Sequence, residues 1–107
     1  MNINGPPVML EPNTAQTVAM TLHELATNAA KYGALSVANG KVDLTWSHGA
    51  DRRLHLRWAE IDGPKVQEPT RKGFGRRIIE QIIAQQSGQT CFDWRAEGLV
   101  CEITLQV

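Results

Sequence analysis

Three residues of one predicted helix have the types and spacing to hold a hydrated cation beside an anion. Glu24, Asn28 and Lys31 fall at i, i+4 and i+7 in a stretch running from about Asn13 to Tyr32. Val18, Leu22, Leu25 and Ala29 recur along it at the helical period of about 100° per residue. An acid, an amide and an ammonium therefore stack along one side of the helix. Glu and Lys at this spacing also make an ordinary solvated face, and that alternative stands beside the functional one. Asn28 weighs against it. Asn is a poor mid-helix residue because its side chain competes for backbone hydrogen bonds. With no cap to form, its carbonyl oxygen is available to a hard cation or an ordered water.

The helix carrying these residues starts after Pro12, with Asn13 as N-cap and Gln16 completing a capping box. Gly33 is expected to end it with positive φ, where glycine has little to lose. Before it, Gly5-Pro6-Pro7 excludes a helix, and Val8-Met9-Leu10 is predicted as a short edge strand. Beyond it, Lys41–Trp46 and Leu54–Trp58 alternate polar and apolar residues around a short polar turn, a hairpin pattern. Residues 61–72 lose all periodicity and carry Asp62-Gly63-Pro64 and Pro69, so a loop is predicted there. Gly73-Phe74-Gly75 opens a second helix with an apolar stripe of Ile78, Ile79, Ile82 and Ile83, closed by Ser87-Gly88. Thr90–Arg95 and Leu99–Val107 read as a last pair of strands. Hairpin-paired strands with helices on one face imply an α+β fold, a two-layer α/β sandwich with a mixed, mostly antiparallel sheet.

The 107 residues suit one domain over residues 1–107. Lys plus Arg and Asp plus Glu are 11 each, for zero formal charge, so no electrostatic footprint for nucleic acid or an anionic membrane is present. No run approaches the roughly 20 apolar residues of a membrane span. No signal peptide is visible at the N-terminus, and a cytoplasmic location is expected. Cys91 and Cys101 lack nearby His or Cys partners and read as free thiols.

His23-Glu24-Leu25-Ala26-Thr27-Asn28-Ala29-Ala30-Lys31-Tyr32-Gly33 resembles the N-box of the GHKL nucleotide-binding superfamily. A His in that box, here His23, and a following Trp-x-Glu, here Trp58-Ala59-Glu60, are similar to the HWE subfamily of bacterial sensor histidine kinases. The resemblance covers about Gly5 to Val107. It implies the histidine kinase ATPase (Bergerat) sandwich, with ATP and Mg2+ as cofactors. Asn28 is then the metal-holding amide, Lys31 a phosphate ligand and Glu24 the acid that orients the attacking group, with His23 flanking them. Glu60 is the acceptor for the adenine amino group, a role a carboxylate in a mostly apolar pocket suits. Gly73, Phe74, Gly75 and Arg76 match the second glycine box, where backbone N–H groups before a helix approach phosphate oxygens. Tyr32, Asp62 and Gly63 fall within the nucleotide-binding boxes. Asp62 departs from the pattern, which has glycine there; it either fits the loop or shares the role of the acid. Trp58 is expected to be a core aromatic.

The implied activity is that of a protein-histidine kinase catalytic domain, moving the ATP γ-phosphoryl group to a His on a separate dimerising helical hairpin, with a response regulator further downstream. These 107 residues hold no such hairpin, so a monomeric, isolated catalytic domain is expected, with residues 61–72 as a mobile lid over the nucleotide. The alternative is a degenerate, non-catalytic relative of the fold that docks a signalling partner.

Overall fold

The computed structural model describes residues 2–49, 52–63, 74–95 and 98–106, with Phe74 and Gly75 described as backbone alone. The elements are β1 (Asn2–Asn4), α1 (Pro12–Tyr32), a 3-10 turn (Ala34–Ser36), β2 (Lys41–His48), β3 (Arg53–Ile61), α2 (Phe74–Gln85), β4 (Gln89–Arg95) and β5 (Gly98–Gln106). The five strands form one sheet in the order β1-β2-β3-β5-β4. β1 joins β2 in parallel, and the other neighbours are antiparallel. This is the mixed, mostly antiparallel sheet expected from the sequence.

Strand alternation puts one face of the sheet in the core. Leu44, Trp58, Cys101 and Phe92 are directly opposed across β2, β3, β5 and β4. Together with Leu56, Ile103 and Leu105 they meet Leu25 and Ala29 of α1 and Ile79 and Ile83 of α2 in one cluster. Burying each large aliphatic or aromatic side chain of this set contributes about 1.5–3 kcal/mol. The opposite face is polar apart from the buried pair Ala59 and Val100, with Arg57 and Glu102 paired across strands at 3.7 Å.

Three local expectations differ from the structure. Asn13 is not the N-cap: Glu11 precedes the helix in extended conformation and Pro12 takes the first turn, with no side-chain cap bond. Proline is pre-set for that position, since its fixed φ is helical and its missing N–H would have had no partner. The N-terminal strand is Asn2–Asn4, not Val8–Leu10; Val8 and Leu10 pack as half-buried side chains against the core. The buried seam of α1 is Thr14, Thr17, Thr21, Leu25 and Ala29, with Val18 and Leu22 only half-buried. Threonine can line this seam because its hydroxyl is satisfied within the helix. Thr21 Oγ1 donates to the Thr17 carbonyl at 2.8 Å and Thr17 Oγ1 to that of Asn13 at 3.1 Å. What then faces the core is a methyl group.

Both cysteines are free, Cys91 exposed and Cys101 buried. Burial, followed by the neighbouring Cys91, pushes the Cys101 thiol up to about 12. Since the thiolate is the reactive species, a disulfide reagent at mildly alkaline pH is expected to modify Cys91 quickly and Cys101 only on unfolding. Two equally fast thiols in the native protein would contradict this packing.

Candidate functional site

Period-two alternation places Trp58 and Glu60 on the same face of β3, one step apart, and that face is the helix-covered one. Glu60 is 5 % exposed. Its Oε1 accepts the Ala34 N–H at 2.9 Å and its Oε2 accepts the Trp58 indole N–H at 3.0 Å. The Trp-x-Glu pattern thus describes a carboxylate that ties the end of α1 to the middle of the sheet. Each carboxylate oxygen has two lone pairs, so Glu60 keeps acceptor capacity for a ligand.

Gly33 has φ −113° and ψ −151°, so it is not the left-handed cap expected. Its need for glycine is steric: a Cβ there would collide with Glu60 Oε1 and lie 3.1 Å from the Ala29 Cα. Gly63 answers the same crowding from the other side, where a Cβ would lie 2.6 Å from the Ala34 Cα. Between them, Asp62 takes φ +58°, a conformation Asp tolerates better than most residues. Asp62 is exposed, on the rim of an open hollow with Asn39, Gly40 and Lys41.

Along α1, Glu24 and Asn28 are half-buried, whereas His23, Lys31 and Tyr32 are exposed. Among the described residues no hydrogen bond engages the Asn28 side chain, which fits a carbonyl oxygen kept for a ligand. Asn28 lies four residues before Tyr32, the last residue of α1, roughly 6 Å along the helix axis at 1.5 Å per residue. Lys31 is in the last turn, where a cation meets the negative end of the helix dipole.

Of the second glycine box, Phe74 and Gly75 begin α2 and Gly73 lies outside the described residues. Arg76 is turned toward β4: its guanidinium sits 4.7 Å from the centroid of the Phe92 ring and 3.6 Å from Glu80. The structure therefore gathers Glu24 and Asn28 on one helix face, with Glu60, Asp62 and Gly63 near that helix's C-terminal end. It spends Arg76 on packing. Of the expected lid, Pro64 to Lys72 lie outside the described residues.

Among the described residues no cluster of His, Cys, Asp and Glu could hold a metal by itself. That donor set does not suit zinc. It is compatible with magnesium, which keeps several waters and is held by one or two protein oxygens together with phosphates. Trp94 belongs to none of the sequence boxes. Its Nε1 is buried and has no hydrogen-bond partner among the described residues.

A sandwich of this kind has counterparts among known proteins. The chain is 35% identical over 107 residues to the blue-light-activated histidine kinase of Brucella ovis, and 36% identical over 104 residues to that of Brucella anthropi. These matches cover 96% and 94% of this chain. The chain is related to the histidine kinases and has the fold of their catalytic domain. The histidine kinase domain of the Erythrobacter litoralis EL346 blue-light-activated histidine kinase superposes with a TM-score of 0.82 at 22% identity, over 97% of this chain and 49% of that one. The mycobacterial sensor histidine kinase MprB does so at 0.71 and 17% identity, over 97% and 78%. No family model matches the chain. This histidine kinase relative spans about a fifth of the length of the curated proteins it matches, 22% for that of Brucella ovis. No helix among its described residues is long and apolar enough to cross a membrane.

Proposed function

We propose that this chain binds ATP with magnesium and is the catalytic domain of a two-component sensor kinase. In that role it transfers the γ-phosphoryl group to a histidine on a dimerising helical hairpin outside these residues, in the cytoplasm, with a response regulator downstream. The observation that carries the reading is the half-buried pair Glu24 and Asn28 on the one helix whose end Glu60 ties to the sheet. Asn28 would hold magnesium through Oδ1, and Lys31 would meet a phosphate. Magnesium, when bound, supplies charge neutralisation on the phosphates; phosphoryl transfer needs little covalent chemistry beyond that and positioning. Glu24, one turn from Asn28, would accept a hydrogen bond from the attacking group or from a magnesium-bound water and so aim it. The α2 N-terminus at Phe74 and Gly75 would offer backbone N–H groups to phosphate oxygens. Glu60 would accept from the adenine amino group with the lone pairs its two protein donors leave free.

The engagement of Glu60 and Arg76 by protein groups favours a second reading, a docking module of the same fold that has lost nucleotide. Radiolabelled ATP separates the two. With a phosphoacceptor hairpin supplied, acid-labile label is expected on the hairpin; with the chain alone, which is expected to run as a monomer, no label is expected. Label on this chain alone would overturn the separate-acceptor scheme, and neither ATP binding nor transfer would leave the module reading.

A further inference from the structure

In the nucleotide reading α2 meets the phosphates with its N-terminus, and the sequence makes that end hard to hold in place. The helix begins Phe74, Gly75, Arg76, Arg77, with no acidic side chain in the first turn. Two arginines there stand at the positive end of the helix dipole, against its preference. Gly75 adds backbone freedom. Ile79 and Ile83, which join α2 to the core, come only after this turn. They hold the body of the helix and leave its first turn to another contact.

Of the two first-turn side chains described, Arg77 is exposed and Arg76 half-buried. Arg76 reaches across to the sheet, its guanidinium 4.7 Å from the centroid of the Phe92 ring. Phe92 is fixed in turn: it lies opposite Cys101 of β5 and stacks on Trp94 at 6.4 Å and 16°. Glu80, one helical turn on, brings Oε1 to 3.6 Å from Arg76 Nε. That is too long for a hydrogen bond but close enough to offset the charge. The two side chains are 20% and 32% exposed, and a cation over a ring gains more as water is removed. Arg76 Nε is buried and donates no hydrogen bond among the described residues. The ring face and the carboxylate therefore carry the arrangement between them.

We propose that Arg76 is a positioning residue for phosphate binding: pinned between Phe92 and Glu80, it fixes the first turn of α2 so that the backbone N–H groups there meet phosphate oxygens. This inference rests on the nucleotide reading above. The guanidinium faces β4, so its part in binding is indirect. What it supplies is the place and direction of the N–H groups.

The test combines amide hydrogen exchange with calorimetric titration by a non-hydrolysable ATP analogue and by adenosine, both with magnesium. The N–H groups of residues 78–80 bond to the carbonyls of residues 74–76, so their exchange reports the first turn. Arg76→Ala is expected to speed that exchange and to weaken the ATP analogue about three- to tenfold, within the range of a cation–π contact. Adenosine, which has no phosphate, should bind as before. Arg76→Met keeps a long side chain and a sulfur–aromatic contact with Phe92, and should recover most of both losses. Glu80→Gln should weaken the analogue in the same direction by less, and it tests the proposal even if Arg76→Ala does not fold. Unchanged exchange at residues 78–80 in Arg76→Ala would overturn the proposal, as would an equal loss of adenosine and the analogue. Arg76→Met binding as poorly as Arg76→Ala, or unchanged or raised affinity in Glu80→Gln, would also overturn it, because Arg76 would then act through its own charge on the phosphates. Absence of analogue binding by the unaltered chain would remove the nucleotide reading and the phosphate role with it, while the exchange result would still decide whether Arg76 fixes the turn.

Discussion

Asn28→Ala is expected to lower magnesium-dependent phosphoryl transfer to a supplied hairpin by about a hundredfold or more, the scale on which loss of one preorganised electrostatic contact acts. Thermal stability should barely move. Asn28 is half-buried on a helix and makes no side-chain hydrogen bond among the described residues, and alanine is the better helix former by about 0.5 kcal/mol. The separation is the point of the experiment. A residue that only packs would change melting and transfer together. A variant with full transfer activity would show that the amide oxygen holds no metal. Asn28→Asp serves as the companion measurement: it keeps an oxygen at the same place, so part of the activity should return with it.

Gly33→Ala is expected to destabilise the fold strongly through the Glu60 carboxylate. The new Cβ would collide with Glu60 Oε1, and the carboxylate cannot move without leaving the Ala34 N–H and the Trp58 indole N–H. Each buried donor left unpaired costs about 1–3 kcal/mol. The sum, about 2–6 kcal/mol, is a large part of the 5–15 kcal/mol typical of a whole domain. Denaturant unfolding reads it directly as a fall in midpoint at constant slope. Gly33→Ala with an unchanged midpoint would mean that Glu60 is not fixed between α1 and β3.

Those two residues also show what the sequence could and could not convey. Trp58 and Glu60 were legible because strand alternation is local: two residues apart on a strand means the same face. Asn28 was legible for the same reason at helical period. Gly33 was recognised as necessary, but for a conformation it does not adopt. Its actual constraint comes from Glu60, 27 positions later, and no local pattern carries such a contact. The threonine seam of α1 was missed because threonine counts as polar until its hydroxyl is bonded back into the helix, as Thr21 shows. Composition points to Val8–Leu10 for β1, whereas Asn2–Asn4 pairs with β2 through backbone bonds, with Asn2 Nδ2 donating to Asp43 Oδ1 at 3.1 Å. That Phe92 and Glu80 lie within reach of Arg76 is likewise beyond any local pattern.

The central claim is that the α1 face bearing Glu24 and Asn28, with Glu60 at its end, forms a nucleotide site. Titration of the chain with a non-hydrolysable ATP analogue, with and without magnesium, tests it most directly. Saturable one-to-one binding is expected, weakening markedly when magnesium is removed. Asn28→Ala is expected to lose this magnesium dependence while keeping a native melting curve. No binding at millimolar analogue in the presence of magnesium, by a chain shown to be folded, would contradict it.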